Sequence, residues 1–235
     1  MRAEPISPER LTERVADLVL KAAEAAGSAP RADAVDAGDT DDAAYAGDGP
    51  AASWTRVAID GAPGSGTAEL AASVEAALTA VGRPVLRISA GDFLRPRSLR
   101  LEHGREDPDV FYTEWLDVKG LMREVFDPLT AGGSGRVLPT LWDAARDRAS
   151  RAKYVELPPG GVLILEGALL FGVGLPFDVS VHLWLSKGAL ARRTPEAMAW
   201  SLPAYARYDA EIDPSRAASL TARMDDPRHP ALLFF

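Results

Sequence analysis

The sequence predicts an α/β fold, a three-layer, doubly wound parallel sheet with helices on both faces. Three observations carry this expectation. The β-branched run TRVAIDG at 55–61 ends in a glycine-rich turn and passes straight into a segment in which Leu70, Val74, Leu78 and Val81 recur at helical spacing. Three more short apolar runs follow, PVLRIS at 84–89, GVLILEG at 161–167 and VSVHLWLS at 179–186, each bounded by turn residues as buried strands are. Strands alternating with helices in this way pair in parallel through crossovers, and a ligand then sits at the carboxyl ends of the strands.

Ahead of the first of these strands, residues 7–26 read as an amphipathic helix. Ser7 caps it, Pro8 takes the first helical position, Leu11, Val15, Leu18 and Val19 share a face, and Gly27 ends it. From Ser28 to Ser53 six aspartates stand against the single Arg31, a local charge of −5. Such a segment cannot bury enough apolar surface to offset its ordering entropy, so it is expected to be a disordered acidic linker. The expected organisation is a helix over 1–27, a linker over 28–53 and one domain over 54–235, with the first 53 residues removable without loss of the fold. Within the domain, Gly82 closes the helix after the glycine turn, and a polar region rich in Arg and Trp runs from Gly91 to Pro159.

The composition sets limits on function. The 235 residues are 47% hydrophobic and 26% charged, as in a soluble globular protein. A net charge of −8 and a pI near 5.0 argue against nucleic acid as a partner. The absence of cysteine excludes disulfides, thiolate metal sites and a cysteine nucleophile, and it fits a reducing compartment. The N-terminus has no signal-peptide core and no apolar run is long enough to span a bilayer, so a cytoplasmic protein without a membrane partner is expected.

The turn itself is the strongest functional signal. Gly61, Ala62, Pro63, Gly64, Ser65, Gly66, Thr67 and Ala68 fill the frame G-x-x-x-x-G-K-[ST] of a phosphate loop, between a strand and a helix as that loop requires. Its glycines let backbone amides and a helix dipole face an anion. Thr67, however, stands where a lysine would reach the β- and γ-phosphates, and Ala68 where a hydroxyl would hold Mg²⁺. A purely structural turn is the first alternative. A dinucleotide fingerprint is the second, although the spacing is GxxGxG and Glu69 occupies the place of its third glycine.

The other residues add less. His182, inside VSVHLWL, is expected to pack beneath a helix, while His103 and His229 lie in polar loops without metal-ligand spacing. Ser65 does not sit in a G-x-S-x-G elbow.

From Trp54 to Pro230 the chain resembles the uridine kinase and phosphoribulokinase-like group of P-loop kinases, particularly its actinobacterial-type members. The resemblance rests on VAIDGAPGSG, ISAGDF, HGREDPDVFY, WLDVKGL, FDPL, LPTLWD, VLILEG, LARR, AYARY and DDPRHPAL in that order. It implies ATP in the phosphate loop, Mg²⁺, and transfer of the γ-phosphoryl to a hydroxyl of a nucleoside or similar small metabolite.

The resemblance also assigns roles. The acceptor base of the group falls at Gly91, which has no base, so Asp92 serves only if the loop is displaced by one residue. Glu166 matches the acid that organises Mg²⁺, with a hydrogen-bonded strand-end carboxylate as the alternative. Trp142 and Asp143 match a base-stacking and a ribose-binding position, with core packing as the alternative for Trp142. Arg105 matches a basic acceptor position, whereas Arg95, Arg97 and Arg100 read as a solvated loop. Arg192 and Arg193 match the start of an arginine-rich lid, a pattern that Thr194, Pro195 and Glu196 abandon. Phosphoryl transfer is mostly positioning and charge neutralisation. By analogy with the loss of an oxyanion-hole donor, each missing part costs about 2.7–4 kcal/mol in the barrier. The expectation is therefore a kinase-like protein with weak or lost activity, or a non-catalytic nucleotide or metabolite binder.

Overall fold

A computed structural model describes residues 2–28 and 53–235; the acidic stretch expected to be a linker lies, apart from its end residues, outside them. Seven strands form one sheet: β1 (Arg2–Pro5), β2 (Thr55–Gly61), β3 (Val85–Ser89), β4 (Val162–Gly167), β5 (Val179–Trp184), β6 (Leu220–Arg223) and β7 (Ala231–Phe234). Their order across the sheet is β1-β7-β6-β5-β2-β4-β3. The five strands from β6 to β3 pair in parallel, and β7 and β1 add an antiparallel edge. β2 is central, with every residue but Arg56 buried, so the glycine loop that follows it emerges from the middle of the sheet.

Helices α1 (Pro8–Ser28) and α2 (Thr67–Ala80) cover one face. Leu11, Val15, Ala16 and Val19 of α1 pack in one core cluster with Leu70, Val74 and Leu78 of α2 and with Val57, Ile59, Ile164 and Val181 of the sheet. The opposite face carries a second cluster, in which Ala58, Ile88, Leu163 and Leu165 meet Phe93, Leu121, Val125 and Phe126. Alternate residues of each strand thus point into the two layers, as a doubly covered sheet requires.

The N-terminal segment differs from its sequence reading. The expected helix is present, begun by Pro8 with the Ser7 hydroxyl accepting from the Arg10 amide at 3.3 Å. It is no appendage, because its apolar face is in the core and a strand precedes it. Pairing of β1 with β7 places Arg2 opposite Phe234 and Pro5 opposite Ala231. The four strands read from the sequence are found within a residue or two, whereas β1, β6 and β7 were not foreseen. Beyond β5 lie α3 (Lys187–Arg193) and α4 (Leu202–Ile212), whose tyrosines Tyr205 and Tyr208 are buried. Among the described residues no helix is long and apolar enough to cross a membrane.

Candidate functional site

The loop from Gly61 to Thr67 has the shape its glycines dictate. Gly66 sits at φ 95° at the N-cap of α2, a conformation that disfavours a Cβ, and no side chain caps that helix end. The first amides of α2 are therefore free to meet an anion. A Cβ on Gly61 would collide with the Ser65 hydroxyl and Leu183. The Ser65 amide closes the turn on the Ala62 carbonyl at 3.0 Å, while Pro63 and Ala68 are exposed. The Ser65 Oγ is buried without a hydrogen-bond partner. Beside the loop a mostly apolar cavity of about 420 Å³ is walled by Pro8 and Leu11 of α1, Gly66 of the loop, Leu70 of α2, and Met224 and Pro227.

Glu166, at the end of β4, is only 7% exposed, and its carboxylate accepts from the Thr67 hydroxyl at 3.0 Å. The residue in the lysine position is thus hydrogen-bonded to the acid assigned to Mg²⁺. Across from it, the chain leaves β3 and forms a 3-10 turn over Ala90–Phe93. Successive side chains of such a turn point about 120° apart instead of alternating. Gly91 is exposed, and Asp92 lines a cleft near Glu166 and Asp143, so the one-residue displacement does not turn its carboxyl away. Burial pushes the Asp92 carboxyl above its ordinary range, Thr140 pulls it back by a hydrogen bond, and Glu166 and Asp143 push it further up.

The cleft beneath Asp92 has a volume of about 740 Å³. Asp143 lines it and is held below the usual carboxylate range first by the Arg146 backbone amide, then by the Arg146 side chain at 3.0 Å. Trp142 is half-buried, gives its indole N–H to Asp147 at 3.2 Å and does not line the cleft. Arg105 is exposed on a loop and does not line the cleft either.

At the end of α3 the two arginines diverge. Arg192 is exposed, whereas Arg193 donates to the Gly64 carbonyl and to the Asp225 carbonyl, each at 2.8 Å. Arg193 therefore braces the outer side of the loop.

A buried polar network beneath the loop was missed in the sequence. Asp60, fully buried at the end of β2, lies in register with His182 of β5 and approaches its Nδ1 to 2.7 Å. The Tyr208 hydroxyl donates to the same carboxylate at 3.1 Å and the Leu170 amide to its other oxygen at 2.9 Å. Burial, with Asp60 adding to it, drives the Tyr208 phenol far above its ordinary range. His182 packs in the core as expected, and its partnership with Asp60 is what keeps it there. A carboxylate inside an apolar strand was the available signal, since such a group must find partners.

The glycine cradle fits the phosphate oxygens of a nucleotide. A magnesium ion held as in P-loop kinases does not fit: Ala68 offers no side-chain oxygen, and the described residues contain no group of three His, Cys, Asp or Glu that could hold a metal.

No family model matches the chain, and no curated protein matches it in sequence. Solved structures match in fold. A possible uridine kinase from Bacillus stearothermophilus aligns at TM-score 0.58 and 22% identity, over 72% of this chain and 89% of that one. A candidate fructose transport system kinase from Silicibacter sp. TM1040 aligns at TM-score 0.59 and 24% identity, over 87% and 95%. A D-glycerate 3-kinase from Cryptococcus neoformans aligns at TM-score 0.52 and 14% identity, over 86% and 80%. The fold is that of the P-loop kinases, an α/β P-loop NTPase sheet.

Proposed function

We propose that this chain is a P-loop protein of kinase fold that binds a phosphate-bearing nucleotide, and that its transfer of phosphoryl to a nucleoside or similar metabolite hydroxyl is weak or lost. One observation carries the reading: at the position of the phosphate-binding cation, the Thr67 hydroxyl donates to the buried Glu166. Anion binding then falls to the backbone amides of the cradle, without a side-chain cation at Thr67 and with Glu69 and Glu166 adding negative charge nearby. The second reading, a non-catalytic nucleotide or metabolite binder, is favoured by the missing metal ligand at Ala68 and the missing base at Gly91. ATP is the nucleotide that the resemblance to P-loop kinases implies.

The test is calorimetric titration of the purified chain with ATP, with and without Mg²⁺, together with a turnover assay on uridine. Weak binding with at most a small metal effect is expected. Tight, metal-dependent binding together with turnover in the roughly 1–100 s⁻¹ range of kinases would overturn the reading.

A further inference from the structure

The cleft beneath Asp92 is built of different chemistry from the nucleoside pocket that the resemblance implies. Three arginines, Arg146, Arg148 and Arg151, line it, and no aromatic residue does. A nucleobase would have no ring to stack on, since Trp142 is turned to Asp147. The positive charge is also unequally compensated. Arg146 is paired with Asp143, but neither Arg148 nor Arg151 has a carboxylate within 4 Å among the described residues.

The arginine wall is held in place by hydrogen bonds. The Ser150 hydroxyl donates to the Thr140 carbonyl at 2.6 Å, and the Ser150 amide to the Leu141 carbonyl at 3.0 Å. Trp142 and Asp143 pair antiparallel with Ala149 and Arg148. Arg148, in the strand, and Arg151, two residues beyond it, thus line the same cleft as Asp92.

We propose that this cleft binds a small hydroxylated metabolite bearing an oxyanion group, phosphate or carboxylate, which Arg148 and Arg151 hold while its hydroxyls face Asp92 and Thr140. This deepens the reading of the chain as a protein of kinase fold, because it names the ligand class of the acceptor side. A guanidinium presents N–H donors in a fork that matches both oxyanions. Asp92 and Thr140 line the same cleft and offer hydrogen-bond partners to the ligand's hydroxyls.

The test is calorimetry on the full chain with ribose 5-phosphate, glycerate and uridine as probes. Ribose 5-phosphate or glycerate is expected to bind and uridine not to; which of the two binds more tightly identifies phosphate or carboxylate as the group recognised. The double variant Arg148→Gln, Arg151→Gln, at exposed positions, should lower that affinity about 10- to 150-fold, the range for hydrogen bonds to charged groups. Ala68→Asp, which puts a carboxylate into the mouth of the phosphate loop at a helix end that tolerates it, should leave that affinity unchanged. Uridine binding as tightly as the anions, or anion affinity unaffected by the arginine variant, overturns the proposal. Loss of anion binding in Ala68→Asp but not in the arginine variant overturns it too, by placing the anion in the phosphate loop. Failure of ATP to bind the parent chain would instead sink the nucleotide reading and leave the cleft to be judged by its own probes.

Discussion

Deletion of residues 1–53 should unfold the protein, contrary to what the linker-like composition of 28–53 suggests. The magnitude follows from α1. Leu11 is 2% exposed and Val15 and Val19 fully buried, in the same cluster as the central strand. Leu11→Ala alone should cost about 2–5 kcal/mol. For a domain of this size each kcal/mol lowers Tm by about 2–4 °C, so the single variant should melt about 4–20 °C lower. The deletion also removes Ala16, uncovers the inner faces of α2, β2 and β5, and leaves β7 as an unpaired edge. Several losses of that size exceed the ~5–15 kcal/mol that a domain has in total. Thermal melts of the full chain, Leu11→Ala and residues 54–235 provide the assay, with the exposed Glu13→Ala as a control that should barely move. A cooperative melt of 54–235 within about 5 °C of the full chain would refute the docking of α1.

Three further outcomes are expected. Thr67→Lys with Ala68→Thr restores a cation and a hydroxyl in an intact glycine loop, and calorimetry should show ATP affinity rising about 10- to 150-fold and becoming Mg²⁺-dependent. Asp92, whose pKa is raised in the folded chain, keeps its proton longer there than when unfolded, so its ionisation lowers stability as pH rises through that window; Asp92→Asn should raise Tm at pH 7 and leave it unchanged near pH 3. Asp60→Ala strips the partner from His182, Tyr208 and the Leu170 amide at once and should cost about 3–5 kcal/mol by denaturant melt, against about 1.5–3 kcal/mol for Tyr208→Phe.

The legible parts of the sequence are those whose signals are local. The strand, glycine turn and helix at 55–80 each declare themselves within a few residues, and so do the apolar runs of β3, β4 and β5. β1, β6 and β7 span four residues each, and Pro5 at the end of β1 reads as a strand breaker. The partner of β1 lies at the other end of the chain, at 231–234, so nothing near residue 2 announces it. The same limit hid the candidate site. Asp92, one residue past the position that the resemblance assigns, would face away if strand alternation continued beyond Ser89, but the chain turns there into a 3-10 helix. Arg148 and Arg151 look like any solvated pair of arginines until the hairpin brings them to the cleft that Asp92 lines. Asp60 and His182 stand 122 residues apart in sequence, and only the register of two parallel strands makes them neighbours.

The loop keeps its shape without the cation because its braces are not the groups that touch phosphate. Glycine conformations at Gly64 and Gly66, the Ser65 to Ala62 turn and the hold of Arg193 on the Gly64 carbonyl fix the backbone from within and from outside. The Thr67 hydroxyl meanwhile satisfies Glu166, which would otherwise be a buried acceptor lacking that partner. Shape and charge have thus come apart at one site. On the proposed reading the amides and the helix end position an anion, and positioning is the part of phosphoryl transfer that geometry alone supplies. Neutralising the charge that develops during transfer needs groups that Thr67 and Ala68 cannot offer, and with glycine at 91 the acceptor proton is left to Asp92. Restoring the cation should therefore act first on affinity, and turnover should rise only as far as Asp92, one residue past the usual position, takes the acceptor proton.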